Sequence, residues 1–296
     1  MNNRRAVLLP LIYFDFFDYP LTVQEINYWC PQKISLSETK QISLSLERSK
    51  IIAQDDDFYF LSSRQMIVEK RRRHQQFSRS KLRKARKAVR WLAKIPMVML
   101  IGVSGNLALE DADKDDDIDL FIITKANHLW LTRFLVVLMG EFLGRRHPND
   151  IQTTDKLCFN LFLDENNLAF SEKRQDLYTA HEILQLKILF DRGGVYEKIL
   201  AQNNWLGKFL PVAYFSREEG FRQGKSYYSK VAVEESHQFF LFESLAKKFQ
   251  LWYMRKKRDQ EEIRSGALFF HPRDSRQFIL NHFQKRTSKF FKNHLL

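Results

Sequence analysis

The stretch Met99–Thr124, MLIGVSGNLALEDADKDDDIDLFIIT, places a Ser-Gly turn between two apolar runs, and the second run opens on Asp117-Ile118-Asp119. Alternate side chains of a strand share a face, so Asp117 and Asp119 point one way and Ile118 the other. Two carboxylates on one side of a strand end suit Mg2+ or Mn2+ and in-line phosphoryl chemistry. A glycine at 105 lets backbone N–H groups approach a phosphate. A short helix starting near Asn106 is expected to aim its N-terminus at the same anion.

Gly105-Asn106, followed twelve positions later by Asp117-Ile118-Asp119 with apolar strands before and after, resembles the Gly-Ser…Asp-x-Asp signature of the DNA polymerase beta-like nucleotidyltransferases. The resemblance covers roughly 98–163. It implies that Asp117 and Asp119 are the catalytic metal ligands, that Ser104, Gly105 and Asn106 contact nucleotide phosphates, and that NTP is the substrate. Asn106 stands where the family usually has Ser, and an amide can also hydrogen-bond phosphate. The family's third carboxylate sits on a later strand; here LCFNLFL offers the neutral Asn160 as candidate third ligand, with Asp164 further along. Two functions follow as expectations. One is Mg2+-dependent transfer of a nucleoside monophosphate to an acceptor hydroxyl. The other is a nucleic-acid-binding regulator whose core has lost its chemistry and senses a nucleotide. Asn160 favours the second, and the Gly105…Asp117-Ile118-Asp119 spacing favours the first.

Competing motifs fail. Asp111, Asp113 and Asp115 imitate a calcium loop, but its sixth position is Asp116 and its twelfth Ile122, where Gly and Glu are needed. There is no Walker A lysine and no GxGxxG. Asp111, Asp113 and Asp115 are therefore expected to form a solvated acidic loop. His181 and His271 read as structural, and Arg174 and Lys187 as cations that could reach a triphosphate.

The elements that must position this chemistry follow from patterning. An α+β fold is expected, with four parts: a winged-helix-like module (1–68), a basic connecting helix (69–95), a nucleotidyltransferase core sheet (96–168) and a helical C-terminal domain (169–296). In the first part, Thr22 and Glu25 form a capping box, and IIAQDDDFYFL alternates like a hairpin. In the last part, helices are predicted over 176–190, 195–201 and 238–258. Between Lys70 and Arg90 there are many cations and no Asp or Glu, so Arg83, Lys84, Arg86 and Lys87 are candidate RNA or DNA phosphate contacts. Lys and Arg number 48 against 35 Asp and Glu, a balance of +13 that suits a polyanionic partner. The two cysteines, Cys30 and Cys158, are too far apart in sequence and too few for a disulfide framework or a zinc motif, which fits a reduced, cytoplasmic setting. Asp15 and Asp18 interrupt the first apolar run, so no secretory leader is expected, and no segment is long enough for a membrane span.

Overall fold

The structure is a computed structural model that describes residues 1–147, 150–222, 240–254, 262–264, 266–269 and 275–294. It has the α+β architecture expected from the sequence. Its first elements are α1 (Asn3–Asp15), β1 (Leu21–Thr22), α2 (Val23–Tyr28), α3 (Leu36–Arg48), β2 (Ile52–Asp55) and β3 (Phe58–Leu61). The capping box forms: the Thr22 hydroxyl accepts from the Glu25 N–H, and the Glu25 carboxylate accepts from the Thr22 N–H at 2.8 Å. The three short strands pair antiparallel in the order β1-β3-β2.

The chain then forms α4 (Met66–Leu92), β4 (Val98–Val103), α5 (Gly105–Ala108), β5 (Ile118–Thr124), α6 (Leu129–Leu143) and β6 (Leu157–Asp164). Beyond these come α7 (Leu177–Gln185), β7 (Lys187–Asp191), α8 (Val195–Gln202), α9 (Leu206–Phe209), α10 (Pro211–Arg222), α11 (Phe240–Met254), β8 (Glu262–Arg264), β9 (Ala267–Phe269) and α12 (Arg276–Asn293). Among the described residues, β4 to β9 make one sheet in the order β7-β4-β5-β6-β9-β8. Only β5 and β6 run parallel, joined through α6; the other neighbours are antiparallel.

Alternation along β5 decides what each sheet face meets. Ile118, Leu120 and Ile122 join the core made with Leu82, Ala85, Val89 and Leu92 of α4 and Val136 of α6. Phe121 and Ile123 join the other core, which continues through α7 and α8 into α1 and the N-terminal sheet. Asp117 and Asp119 share the parity of this second face. No helix among the described residues is long and apolar enough to cross a membrane.

One stretch departs from the predicted pattern. The helix expected over 176–190 ends at Gln185, and Lys187–Asp191 turns extended to pair with β4. The run HEILQLKILF is apolar enough for either state, and the open edge of β4 decides for strand. The region after 168 thus supplies helices and also three strands of the sheet. The helix predicted over 238–258 is described only as Phe240–Met254.

The basic helix α4 divides its cations by face. Arg71 is buried, forks onto the Glu25 carboxylate at 2.6 and 2.9 Å and lies over the Tyr19 ring. Lys81 is 1% exposed; its ammonium donates to the Lys114 and Asp116 carbonyls at 2.9 and 2.5 Å and to the Asp155 carboxylate at 2.9 Å. By contrast Arg79, Arg83, Arg86, Lys87 and Arg90 are exposed and make no ion pair among the described residues. Lys81→Met should therefore lower stability by about 1–3 kcal/mol, because two carbonyls and a carboxylate lose their donor. Arg83→Gln should stay within about 0.5 kcal/mol. Urea unfolding midpoints check both.

Candidate functional site

The site is built at one end of the sheet, where β4 leaves through Ser104 and β5 enters at Ile118. The Ser104 N–H donates to the Asp119 carbonyl at 3.1 Å, which fixes the turn against the incoming strand. Gly105 has φ +61, and a Cβ placed there would lie 3.2 Å from Asp119 Oδ2. The turn and the carboxylate are thus in near contact, and any side chain at 105 would combine a left-handed backbone with crowding of Asp119. The helix that follows is a single turn of four residues. Asn106 uses its amide within the chain: Nδ2 donates to Asp116 Oδ2 at 3.4 Å, and its carbonyl accepts from the Asp111 N–H at 2.9 Å. The Ser104 hydroxyl makes no cap bond to the turn.

Asp117 and Asp119 come together as the alternation requires, and Cys158 joins them. One ligand atom from each of the three lies within 4.8 Å of the others. Cys158 reaches this place because β6 runs parallel to β5 with Cys158 directly beside Asp119. Its thiol also hydrogen-bonds Asp117, and burial followed by the two carboxylates pushes its pKa well up. Asn160, the expected third ligand, lies in β6 with its side chain outside the described residues. Asp164 is at the far end of that strand. It is 4% exposed and accepts from the Asn127 and Asn166 N–H groups at 2.7 and 2.8 Å, so it is a structural cap away from the site.

Arg146 was not singled out by the sequence. Its Nη1 lies 2.6 Å from Asp117 Oδ2, and it also hydrogen-bonds Cys158. The 144–146 segment is held beside β6 by Leu157 N–H donating to the Gly144 carbonyl and Arg146 N–H donating to the Leu157 carbonyl. Asp119 has its pKa pushed up to about 7, first by burial and then by Asp117. Glu182 of α7 adds to the negative field at Asp119, and burial pushes its own carboxyl up to about 7. Lys187 pairs in register with Val103, next to the turn, and its ammonium is engaged by Glu110.

The acidic loop is not uniformly solvated. Asp113 and Asp115 are exposed as expected, but Asp111 is 7% exposed. His74 of α4 contacts both its carbonyl and its carboxylate, at 2.9 and 3.1 Å, and burial pushes its carboxyl up to about 6. The loop follows α4 closely, and this placed Asp111 inside. His181 is buried among Tyr13, Phe14 and Trp29, with burial driving its pKa down to about 3, in keeping with a structural role. His271 is outside the described residues.

Carboxylates, thiol and turn form a donor set that fits a divalent cation: two hard oxygens, one soft sulfur and a glycine that leaves the approach to Asp119 free of a side chain. Arg146 supplies the compensating positive charge within the chain. Comparison with protein-family models, with curated proteins and with solved structures returns no match in any of the three.

The raised pKa of Asp119 fixes a sign. Its folded pKa lies above the unfolded value of about 3.9, so the folded protein holds more protons between these values. The metal-free protein should lose stability as pH rises from about 4 to about 7 through this group. Asp119→Asn should flatten that fall, as read by thermal unfolding at a series of pH values.

Proposed function

We propose that this chain is a metal-dependent nucleotidyltransferase, moving a nucleoside monophosphate from an NTP to an acceptor hydroxyl with release of pyrophosphate. The observation that carries this reading is the apposition of the Gly105 turn to the Asp117–Asp119 pair, with 3.2 Å between the Gly105 Cβ position and Asp119 Oδ2. That closeness brings a backbone able to approach phosphate up to carboxylates able to hold cations.

In this reading Asp117 and Asp119 hold the divalent ions, Mg2+ or Mn2+, and Cys158 lies within reach of the same ions. Bound there, the cations would polarise the phosphoryl oxygens and offset the charge of the departing pyrophosphate. The Ser104 hydroxyl and the Gly105 turn receive the nucleotide phosphates, while Asn106 braces the turn through Asp116. Arg146 moves from Asp117 to the triphosphate, to which a guanidinium is well matched. The acceptor oxygen forms its bond to the α-phosphorus as the bond to the β-phosphate bridging oxygen breaks. Its proton passes to water or to a carboxylate oxygen of the Asp117–Asp119 pair. The exposed cations of α4 would bind RNA or DNA. Arg83, Arg86 and Lys87 are free for this, whereas Lys84 already meets Asp155 Oδ2 at 2.9 Å.

The second reading, a nucleotide-sensing regulator, is favoured by the Arg146–Asp117 pair, which balances the site's charge without a cation. Incubation with each α-labelled NTP and Mg2+, with and without total RNA, separates the two. The enzyme yields a labelled acceptor and pyrophosphate; the regulator yields bound, unreacted NTP. Asp117→Asn and Asp119→Asn should each reduce transfer by at least about a hundredfold while the chain still folds. Wild-type turnover in either variant would overturn the assignment. For nucleic acid, Arg83, Arg86 and Lys87 changed together to Gln should flatten the log–log salt dependence of duplex binding by about 0.9 for each phosphate no longer neutralised. An unchanged slope would make α4 a solvated scaffold.

A further inference from the structure

Cys158 lies beside both Asp117 and Asp119, and the consequence is a choice of metal. We propose that Cys158 Sγ is the third protein ligand of the Asp117–Asp119 site, and that the site therefore takes a thiophilic divalent ion of the Zn2+ or Co2+ type in preference to Mg2+. This rests on the reading of Asp117 and Asp119 as metal ligands.

Three observations converge on it. The ligand atoms of Asp117, Asp119 and Cys158 lie within 4.8 Å of one another, near enough for one cation to touch all three after small side-chain rotations. Register, and not surface accident, puts the sulfur there, because Cys158 pairs directly with Asp119 between the parallel strands β5 and β6. Finally, Arg146 hydrogen-bonds both Asp117 and Cys158, so the oxygen and the sulfur lie close enough to share one positive group, whose place an incoming cation has to take.

Mg2+ is a hard ion that favours oxygen ligands and resists losing its water, so a sulfur gives it little. Zn2+ and Co2+ bind thiolate strongly and accept carboxylate oxygens alongside it. Binding such an ion releases the thiol proton to solvent, leaves the sulfur as thiolate, and requires Arg146 to leave Asp117. The remaining coordination positions stay open for water or phosphate oxygens, as a site with three protein ligands allows.

The test uses the full chain, stripped of metal by a chelator and titrated with Co2+. A thiolate-to-cobalt charge-transfer band in the near ultraviolet, saturating at one equivalent, is the expected result. Only Cys30 and Cys158 are available as thiols. Cys30 is buried against the Ala6 carbonyl and is not among the clustered ligand atoms, so Cys30→Ser should keep the band and Cys158→Ser should lose it. By calorimetry, Cys158→Ser should weaken Zn2+ by at least about tenfold and leave Mg2+ within about threefold, while Cys158→Asp should tighten Mg2+. If wild type binds Co2+ with no thiolate band, and Asp119→Asn still removes binding, the sulfur is not a ligand while the carboxylate site stands. If Asp117→Asn and Asp119→Asn leave both Co2+ and Mg2+ binding unchanged, the inference and the metal-dependent reading fall together.

Discussion

Two carboxylates set side by side at the mouth of a buried strand repel one another, and the surrounding structure is organised around that repulsion. Asp119 is the more deeply set, and burial together with Asp117 raises its pKa to about 7. Asp117 is held by the Arg146 guanidinium at 2.6 Å. The position beside Asp119 on the neighbouring strand carries a thiol, which burial and the two acids keep protonated. Like charges this close stay together only where counter-charge or protonation relieves them, and both devices are present. A divalent cation would satisfy the same need more fully, and for that reason we propose the pair as a metal site.

The same logic explains why α4 is so basic on its inner side. Between β4 and β5 the chain runs through five aspartates, and that loop has to be pinned close to the sheet. His74 takes Asp111, while Lys81 gathers the Lys114 and Asp116 carbonyls together with Asp155. The Asp155 N–H then donates to the Asp116 carbonyl at 3.1 Å, closing the ring just before Asp117. The helix is therefore a structural clamp along one side and a free row of cations along the other. Farther from the site, the buried Asp15 of α1 is met by Arg64 from the approach to α4 and Arg286 from α12, which ties the N-terminal elements to the last helix.

What was legible in the sequence was whatever local pattern determines. Thr22 and Glu25 marked the start of α2, and the apolar runs at 98–103, 118–123 and 157–163 marked three strands, because capping and alternation act over a few residues. The Asp117–Asp119 pair and the Gly105 turn were readable for the same reason. Cys158 and Arg146 were not. Their positions depend on the parallel register of β5 with β6 and on how 144–146 docks beside Leu157, and neither leaves a mark at fixed sequence spacing. Asp111 was misplaced because a run of aspartates looks uniformly solvated until the partner His74, 37 residues earlier, is known to lie against it. The strand Lys187–Asp191 escaped because an edge left open by β4 overrode an ambiguous apolar run.

The central claim is that Asp117 and Asp119 form a divalent-cation site facing the Gly105 turn. Its most direct test is a crystal structure grown with Mn2+ and a non-hydrolysable NTP, with the anomalous signal of manganese used to locate the ion. The account expects an anomalous peak in contact with both carboxylates, a triphosphate against the Gly105 backbone, and Arg146 released from Asp117. Manganese bound only at the exposed Asp113 and Asp115, with Arg146 still on Asp117, would contradict it.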